Sequence, residues 1–434
     1  MTPRVSVVGA AAVASPLRLG SRSSFVADDA YILRDIEHPR PPAHGAPRAF
    51  ERAGPREQIY FDPRTTKVGI VTAGGVCPGI NDVIRAIVLE LHHGYGVGRI
   101  LGFRYGFAGL DPASRHEPMV LEPGVVRDIH VWAGTLLGTS RGPAEPSRIV
   151  DTLARLEVNV LIVIGGDGTM RAGHAVHAEI ARRGLPIGVI GVPKTIDNDI
   201  SFVDKTFGFE TAVATARLAI DSAHAEARSV VNGVGLVKLM GRNAGFIAAS
   251  ATLASQEVNA CLVPEVPFDL AGDAGMLAWL EGRLARRGHA VIVVAEGCAS
   301  SIVGSVAAHD ASGNVAFSSP EHDVGRHLQR AIQDHFAYRK LPLTLKYIDP
   351  SYMVRATRAS AEDAVFCDAL ARHAVHAAMA GKTDMLVGRW HRCFTHVPLE
   401  RMLAHEKRID PSGDLWRQLL ESTGQPAFQP PARG

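Results

Sequence analysis

The sequence predicts an α/β protein with two three-layer, Rossmann-like α/β/α domains and a ligand-binding cleft between them. Short β-branched apolar segments alternate with longer segments of helical spacing along most of the chain. One of them, Val158–Ile164 (VNVLIVI), is a nearly continuous apolar run, which is typical of a central strand in a parallel sheet. Glycine is abundant (43 residues) and aromatic residues make up only 6%, which favours a layered α/β enzyme over a fibrous or disordered chain.

The individual elements follow from these patterns in chain order. The predicted strands cover Lys67–Ala73, Arg99–Phe103, Val158–Ile164, Leu185–Val192, Gly235–Leu239, Ala260–Pro264 and Ala290–Ala295. The predicted helices cover Ile80–Leu91, Thr211–Ala225, Ala244–Ser255, Met276–Arg287, Val324–Tyr338 and Ser360–Met379. Because strand–helix units repeat, we expect parallel sheets with right-handed crossovers. Ligands then bind at the carboxyl ends of the strands.

Composition argues against several classes of partner and compartment. The formal net charge is only +2, so nothing global indicates binding to nucleic acid or to a membrane surface. The five cysteines are scattered and form no C-x-x-C pair, which favours a reducing cytoplasm over a disulfide framework or a zinc site. No apolar run approaches the ~18 residues of a spanning helix. The segment after Arg4 resembles a signal peptide only faintly, because it is weakly apolar.

The segment Gly191–Asp199 (GVPKTIDND) is the most specific motif. It places Lys194, Thr195, Asp197 and Asp199 in one short loop after a predicted strand. So many polar groups between two elements are costly unless they are engaged. A carboxylate can accept the proton of an attacking hydroxyl, and a lysine can neutralise charge on a transferring phosphoryl group. We assign Asp197 as the base, Asp199 to orientation of substrate or metal, and Thr195 to hydrogen bonding of the phosphoryl group.

Three further loops resemble parts of a phosphoryl-transfer site. Asp167 stands among the glycines of IGGDGT, where it can reach a Mg²⁺ that bridges nucleotide phosphates. The turn Gly74–Gly79 (GGVCPG) lies between a strand and a helix and can present backbone N–H groups to an anion. Arg141 follows the small residues of GTSR and can bind a phosphate through its guanidinium fork. A structural interpretation remains open for each loop: a simple turn for IGGDGT, a tight connection for GGVCPG and a surface salt bridge for Arg141.

Downstream residues suit a sugar phosphate. The segment Met240-Gly241-Arg242 follows one predicted strand and opens a helix, and Glu296 ends the apolar strand VIVVAEG. A carboxylate there can accept hydrogen bonds from sugar hydroxyls. Lys346, Tyr352 and Arg355 lie close together in LKYIDPSYMVR and can grip a phosphate. The histidines carry no metal-ligand spacing and are interpreted as helix or surface residues.

Together these motifs resemble the phosphofructokinase family. GGVCPG, GTSRG, IGGDGT, PKTIDND, LMGR, PEVPF, AEG and KYIDPSYMVR occur in the family's order, from about Ala53 to the STGQPAF segment near the C-terminus. The likeness is strongest to the ATP-dependent branch typified by plant and trypanosomal enzymes. It implies transfer of the γ-phosphoryl group of Mg-ATP to the C1 hydroxyl of fructose 6-phosphate.

The resemblance also implies a role for each matching residue. Asp197 matches the catalytic base, Arg141 the arginine that touches the transferring group, and Asp167 the magnesium ligand. The ATP-binding residues it implies are Gly74, Gly75, Arg141, Gly166, Asp167, Gly168 and Thr169. The sugar-phosphate residues it implies are Thr195, Asp197, Asp199, Met240, Gly241, Arg242, Glu296, Lys346, Tyr352 and Arg355. Lys194 completes the catalytic group.

Domain limits and assembly follow from the same likeness. Residues 1–58 are expected to be an N-terminal arm and linker. Residues 59–208 with about 350–400 are expected to form the ATP-binding domain, and residues 209–349 with 401–434 the sugar-phosphate domain. The resemblance further implies Mg²⁺ as cofactor, ATP as co-substrate, a cytoplasmic location, and a homotetramer or homodimer. Neither a nucleic-acid nor a membrane partner is expected.

The phosphoryl donor depends on two positions. Pyrophosphate-using relatives place an acidic residue where this chain has Gly168, and a lysine where it has Lys194. A carboxylate at position 168 would oppose the ATP α-phosphate, whereas glycine leaves room for it. Lysine at 194 serves either donor, because the transferred group is the same. We therefore favour ATP. The alternatives are a pyrophosphate-dependent phosphofructokinase and a non-catalytic regulatory homologue, which the presence of Asp197, Asp167 and Arg141 disfavours.

Overall fold

The computed structural model describes residues 5–17, 24–36, 48–140, 142, 145–299 and 323–429. Contacts divide the chain into two compact units. Unit 1 comprises Met1–Ile196, Ile200–Gly208 and Ala356–Glu406. Unit 2 comprises Asp197–Asp199, Phe209–Arg355 and Lys407–Gly434. The parallel sheets and the strand–helix alternation confirm the predicted α/β class.

Unit 1 is built on a nine-stranded sheet of order β3-β4-β17-β16-β10-β9-β6-β7-β8, with two small two-stranded sheets, β1-β15 and β2-β5. Its strands are β1 Ser6–Val7, β2 Val13–Ala14, β3 Tyr31–Leu33, β4 Ala49–Arg52, β5 Gln58–Ile59, β6 Lys67–Thr72, β7 Arg99–Phe103, β8 Met119–Val120, β9 Val160–Gly165, β10 Gly188–Pro193, β15 Lys382–Thr383, β16 Met385–Trp390 and β17 Cys393–Pro398. The five strands from β16 to β7 in that order are parallel, and the strands outside them are antiparallel.

The helices of unit 1 mostly lie between the strands of its main sheet in sequence. They are α1 Ile80–Leu89, continued by a π-helix Glu90–Tyr95, α2 Pro146–Arg155, α3 Asp167–Arg182, α9 Ala361–Met379 and α10 Leu399–Leu403. Short 3₁₀-helices cover Gly106–Leu110, Pro112–Ser114 and Ile129–Val131. The strand β9 is buried along its whole length and pairs with β6 and β10, which is why its sequence is continuously apolar.

The N-terminal region differs from the expectation. Residues 1–58 are predicted to be only an arm and linker, but β4 pairs with β17 through Thr395 opposite Arg52, and β3 pairs with β4. Phe50 is 1% exposed and belongs to a buried cluster of this unit. These segments therefore extend the sheet. The Pro-rich segment His38–Pro47 lies outside the described residues.

Unit 2 is a four-stranded, fully parallel sheet of order β12-β13-β11-β14. Its strands are β11 Gly233–Leu239, β12 Ala260–Leu262, β13 His289–Ala295 and β14 Thr344–Ile348. Its helices are α4 Phe209–Arg228, α5 Phe246–Ser255, α6 Met276–Arg287, α7 Val324–Tyr338, α8 Ser351–Arg355 and α11 Asp414–Thr423, with a 3₁₀-helix Glu296–Cys298. All seven residues of β11 are buried, so helices cover this central strand. Across both units, no helix of the described chain is long and apolar enough to cross a membrane.

Candidate active site

In unit 1 the glycine turn after β6 is tied to a second loop. Gly74 has a φ of +87°, a conformation that glycine adopts without a Cβ penalty. Its carbonyl oxygen accepts a 2.6 Å hydrogen bond from Thr139 Oγ1, and its N–H donates to the Ser140 carbonyl oxygen at 3.2 Å. The GTSR loop therefore lies against the glycine turn. Arg141, the next residue of that loop, lies outside the described residues.

The IGGDGT segment forms the junction of β9 and α3. Gly166 precedes the helix, and its carbonyl oxygen accepts the backbone N–H groups of Thr169 and Met170 at 3.0 and 2.9 Å. Asp167 and Gly168 occupy the first two helical positions, where backbone N–H groups have no helical acceptor. The N-terminus of a 16-residue helix favours an anion, so this junction suits a phosphate.

Lys194 joins the two loops of unit 1. Its backbone N–H donates to the Gly165 carbonyl oxygen at 2.8 Å, and its ammonium group donates to the Gly75 carbonyl oxygen at 2.6 Å. A Cβ atom added at Gly74 would lie 3.6 Å from Lys194 Nζ and 3.7 Å from Thr169 Oγ1. The structure thus brings together Gly74, Thr169 and Lys194, which are far apart in sequence. A cation beside exposed backbone and a hydroxyl can bind a phosphate chain.

The Asp167 carboxylate lies where it could bind a metal ion together with other ligands. Its carboxylate is half exposed and lies 3.2 Å from Arg171 Nη2, one helical turn along α3. Among the described residues, no group of three or more His, Cys, Asp or Glu side chains could hold a metal ion. Mg²⁺ commonly binds one or two carboxylates and completes its shell with water and substrate phosphates. Asp167 therefore suits a Mg²⁺ that arrives with a nucleotide.

In unit 2 two loops meet at the carboxyl edge of the sheet. Met240 and Arg242 follow β11, and Glu296 follows β13, whose register pairs Leu239 with Ala295. The Gly297 N–H donates to the Gly241 carbonyl oxygen at 3.0 Å, which joins the loops directly. Gly241 has a φ of +131°, and a Cβ there would lie 2.6 Å from the Ala244 carbonyl oxygen. Only glycine suits this position.

Asp197 belongs to unit 2, and charged residues of these two loops act on its carboxyl group. Burial, followed by the negative charges of Asp199 and Glu296, raises the pKa of Asp197 to about 8. The charge and backbone N–H of Arg242 act in the opposite direction. A carboxylate whose pKa lies near neutrality is suited to accept a proton from a sugar hydroxyl. In unit 1, the Thr206 hydroxyl donates to the Thr195 carbonyl oxygen at 2.7 Å, which fixes the backbone just before Asp197.

Glu296 shares this environment. Burial raises the pKa of Glu296, while the cationic groups of Arg242, Lys238 and Arg355 lower it. Arg355 is one of the cations that lower this pKa, so its guanidinium group lies within electrostatic range of Glu296. Tyr352 and Arg355 lie on α8, where the Arg355 guanidinium is 4.9 Å from the centre of the Tyr352 ring.

Lys346 lies apart from this edge. It is exposed in the middle of β14, two residues before the strand ends, which corresponds to about 7 Å of strand rise. Tyr352, in contrast, is 74% exposed just beyond the edge, where a ligand can reach it. Arg242 and Arg355 therefore lie within electrostatic range of Glu296, whereas Lys346 lies two residues back along β14.

Two charged residues were missed by the sequence analysis. Arg171 follows Asp167 by four residues on a helix that was not predicted, and that spacing is the signal that could have found it. Lys238 is a lone cation within the apolar strand GVGLVKL, and it is 9% exposed. A buried lysine requires partners, which the sequence does not identify.

Comparisons with known proteins point to one family. A family model for phosphofructokinase matches residues 67–378, well over half of the chain. An ATP-dependent 6-phosphofructokinase of Borreliella burgdorferi is 47% identical over 384 residues, which cover 87% of this chain and 85% of that protein. The corresponding protein of Trypanosoma cruzi is 43% identical over 426 residues (94% and 86%), and a chloroplastic one of Arabidopsis thaliana is 44% identical over 411 residues (92% and 75%).

Solved structures support the fold. A pyrophosphate-dependent phosphofructokinase of Marinobacter aquaeolei superposes with a TM-score of 0.66 at 22% identity, covering 83% of this chain and 91% of that one. Pichia pastoris phosphofructokinase in the T-state superposes with a TM-score of 0.63 at 19% identity, covering 78% and 35%. At these identities the likeness concerns the fold alone.

Proposed function

The chain belongs to the phosphofructokinase family, and we propose that it is an ATP-dependent 6-phosphofructokinase. It forms fructose 1,6-bisphosphate and ADP from fructose 6-phosphate and ATP. One feature of the site carries this proposal. The carboxyl group of Asp197 is buried, with Asp199, Glu296 and Arg242 acting on it, in a segment that follows Lys194 and Thr195, and burial with the two negative charges raises its pKa to about 8. Transfer of a phosphoryl group to a sugar hydroxyl requires a carboxylate base and phosphate-binding groups, and the chain supplies both.

The chemistry divides among these residues. The C1 hydroxyl oxygen of the sugar attacks the γ-phosphorus of ATP, the bond to the bridging oxygen breaks, and ADP departs. Asp197 takes the hydroxyl proton. Lys194, Arg141 and the Thr195 hydroxyl stabilise the charge on the transferring group. Asp199, Met240, Gly241, Arg242, Glu296, Tyr352 and Arg355 bind and orient fructose 6-phosphate, whereas Lys346, in the middle of β14, is not assigned to this group.

ATP is bound by the loops of unit 1. We assign Gly74, Gly75, Gly166, Gly168 and Thr169 to its phosphates, because the start of α3 presents backbone N–H groups without a helical acceptor, and Lys194 Nζ and the Thr169 hydroxyl lie beside the glycine turn. Asp167 would hold Mg²⁺, which neutralises phosphate charge when bound. Unit 1 is then the ATP-binding domain and unit 2 the sugar-phosphate domain. This assignment rests on the residues that each unit contains.

Gly168 supports ATP as donor over pyrophosphate. It is the second residue of α3, where an acidic side chain would add a negative charge at the phosphate-binding helix end. The curated relatives at 43–48% identity are named ATP-dependent, whereas the pyrophosphate-dependent structures are 22% identical. We further propose a cytoplasmic homotetramer or homodimer, which follows from the family and from the scattered cysteines.

A donor comparison tests the proposal. Fructose 1,6-bisphosphate formation is measured with Mg²⁺ and fructose 6-phosphate, using ATP and pyrophosphate in parallel at equal concentration. We expect turnover with ATP alone. Turnover with pyrophosphate alone would overturn the donor assignment. Absence of product with either donor, from a folded protein, would favour a non-catalytic homologue.

A further inference from the structure

Lys238 lies at the centre of a buried ionic network in unit 2. Its ammonium group is 2.8 Å from Asp349 Oδ2 and 3.1 Å from Asp323 Oδ2. The side chain is 11% exposed, and the carboxylates are 31% and 18% exposed. One cation thus joins two carboxylates that come from different parts of the chain.

Each carboxylate also holds the start of a helix. Asp323 Oδ1 accepts the backbone N–H groups of Gly325 and Arg326 at 2.9 and 3.2 Å, which caps α7. Asp349 Oδ1 accepts the Ser351 backbone N–H at 3.1 Å, which fixes the first residue of α8. The Tyr347 hydroxyl donates to Asp323 Oδ1 at 3.1 Å and completes the network.

The network lies at the edge of the sheet where the site residues are grouped. Val237 pairs with Ile348 and Leu239 with Ala295, so Lys238 is level with the last residues of β13 and β14. Glu296 follows β13 directly, and the charge of Lys238 lowers its pKa. Tyr352 and Arg355 follow β14 on α8, only a few residues beyond Asp349.

The short helix α8 depends on such an anchor. A helix of five residues has little stability of its own, because its few hydrogen bonds do not offset the unfavourable free energy of helix nucleation. Val354 is buried and holds one side of it, whereas Tyr352 is 74% exposed. The bond from Lys238 to Asp349 fixes the other end. A buried ion pair adds little net stability against apolar residues of similar size, but it can specify one orientation.

We propose that Lys238 is a positioning residue for sugar-phosphate binding, which acts through Asp349 to hold α8 so that Tyr352 and Arg355 face the substrate. This inference rests on the proposed function, since it assumes that fructose 6-phosphate binds beside Glu296. Lys238 itself does not touch the substrate. Its removal therefore weakens sugar-phosphate binding without changing the chemical step or the binding of ATP.

The test is a steady-state comparison of the full-length Lys238→Met variant with wild type. We expect the KM for fructose 6-phosphate to rise at least about 10-fold, the effect of a misplaced binding group. We expect kcat and the KM for ATP to change less than about threefold, as positioning rather than chemistry is affected. Lys382→Met is the matched control, because Lys382 is 12% exposed and lies 2.7 Å from Glu51 in unit 1. It should leave the KM for fructose 6-phosphate unchanged.

Two further variants separate positioning from stability. Lys238→Met combined with Asp349→Asn removes one of the two carboxylates left without a cation, so thermal stability should recover in part while the KM for fructose 6-phosphate stays high. Asp349→Asn alone breaks the same link and serves if Lys238→Met does not fold. A normal KM for fructose 6-phosphate in Lys238→Met or in Asp349→Asn would overturn the inference, as would recovery of that KM in the double variant. A wild-type protein that does not phosphorylate fructose 6-phosphate would refute the proposed function instead.

Discussion

The Lys194 ammonium group lies 2.6 Å from the Gly75 carbonyl oxygen and donates a hydrogen bond to it, although the two residues are 119 positions apart. This bond closes the glycine turn over the strand that carries the PKTIDND loop. Lys194 is 5% exposed, so its charge is held in place before any ligand binds. A cation fixed in advance costs no reorganisation when phosphate charge develops near it.

The same contact makes Gly74 sensitive to a side chain. Gly74→Ala introduces a Cβ at a φ of +87°, 3.6 Å from Lys194 Nζ. We expect a loss of about 1–2 kcal/mol of stability from the left-handed conformation. We also expect the KM for ATP to rise by about 10-fold, since the added methyl group lies in van der Waals contact with the Lys194 ammonium group and the Thr169 hydroxyl, where the phosphates are proposed to bind. Initial rates at varied ATP and a thermal melt measure the two effects.

Gly96→Ala is the matched control for this strain. Gly96 also lies in unit 1 with a φ of +80°, but a Cβ there has no atom within 4 Å. It should lose similar stability and keep the wild-type KM for ATP. If both variants raised the KM for ATP equally, backbone strain alone would explain the effect, and the proposal that Gly74 binds the phosphates of ATP would be wrong.

Gly168→Asp tests the basis of donor choice. The new carboxylate would oppose a nucleotide phosphate by about 1–4 kcal/mol at a separation of 4 Å. We therefore expect kcat/KM for ATP to fall by about 10- to 100-fold. The fold itself should tolerate the change, because an acidic residue is favourable in the first turn of a helix.

Gly98→Asp controls for added charge, because Gly98 is exposed and a Cβ there has no neighbour within 4 Å. It should leave kcat/KM for ATP unchanged. Retention of full ATP activity by Gly168→Asp would show that position 168 does not select the donor.

Much of the fold could be predicted because the pattern is local. The helices Met276–Arg287 and Val324–Tyr338 and the strand Arg99–Phe103 match the predictions to the residue. The hairpin of β16 and β17 was missed for a physical reason. Its two turn residues, His391 and Arg392, have φ values of 48° and 65°, a conformation that an Asn-Gly pair usually signals.

The N-terminal strands and the ionic network could not be found in this way. Ala49–Arg52 forms a strand because β17, more than 300 residues later in sequence, offers it an edge. Lys238 likewise finds Asp323 and Asp349 only after the sheet has formed. The loops with glycine and aspartate could be proposed as a binding site from sequence, because their residue types indicate phosphate chemistry. The residues that support these loops could not, because only the tertiary fold brings them together.

Asp197→Asn tests the base directly. Asparagine keeps the shape but cannot accept the hydroxyl proton, so we expect kcat to fall at least ~100-fold. The KM for fructose 6-phosphate should change little. Asp221→Asn, on α4 of the same unit, controls for the loss of one negative charge. Near-normal turnover of Asp197→Asn would rule out Asp197 as the base.

The raised pKa of Asp197 also fixes the sign of a pH dependence. The base must be deprotonated, so kcat/KM for fructose 6-phosphate should rise with pH and level off above about 8. Asp199→Asn removes one of the charges that raise this pKa, so its rising limb should move to lower pH. Asp221→Asn should keep the wild-type limb. If the rising part of the pH profile kept its position in Asp199→Asn, the charge of Asp199 would not affect the pKa of the base.

Glu51 provides a prediction about stability in unit 1. Its carboxylate is 4% exposed and lies 2.7 Å from Lys382 Nζ, 3.0 Å from Arg56 Nη2 and 3.1 Å from His396 Nδ1. Burial acts to raise the pKa of Glu51, but the hydrogen bond and charge of His396 and the charge of Lys382 outweigh it and lower the pKa to about 2. The folded state therefore favours the ionised carboxylate.

The sign of the pH effect follows from this lowered pKa. The stabilisation by Glu51 is fully present above its unfolded pKa of 4.5 and is lost as the pH falls towards 2. Glu51→Gln should lose about 3 kcal/mol at pH 7, which corresponds to roughly 5–10 °C in Tm. The difference from wild type should shrink as the pH is lowered from 4.5 to 3. Glu421→Gln, whose side chain is 62% exposed in a surface pair with Arg417, should change Tm much less at either pH. If Glu51→Gln melted like wild type at pH 7, β4 would not be held to the sheet by this cluster.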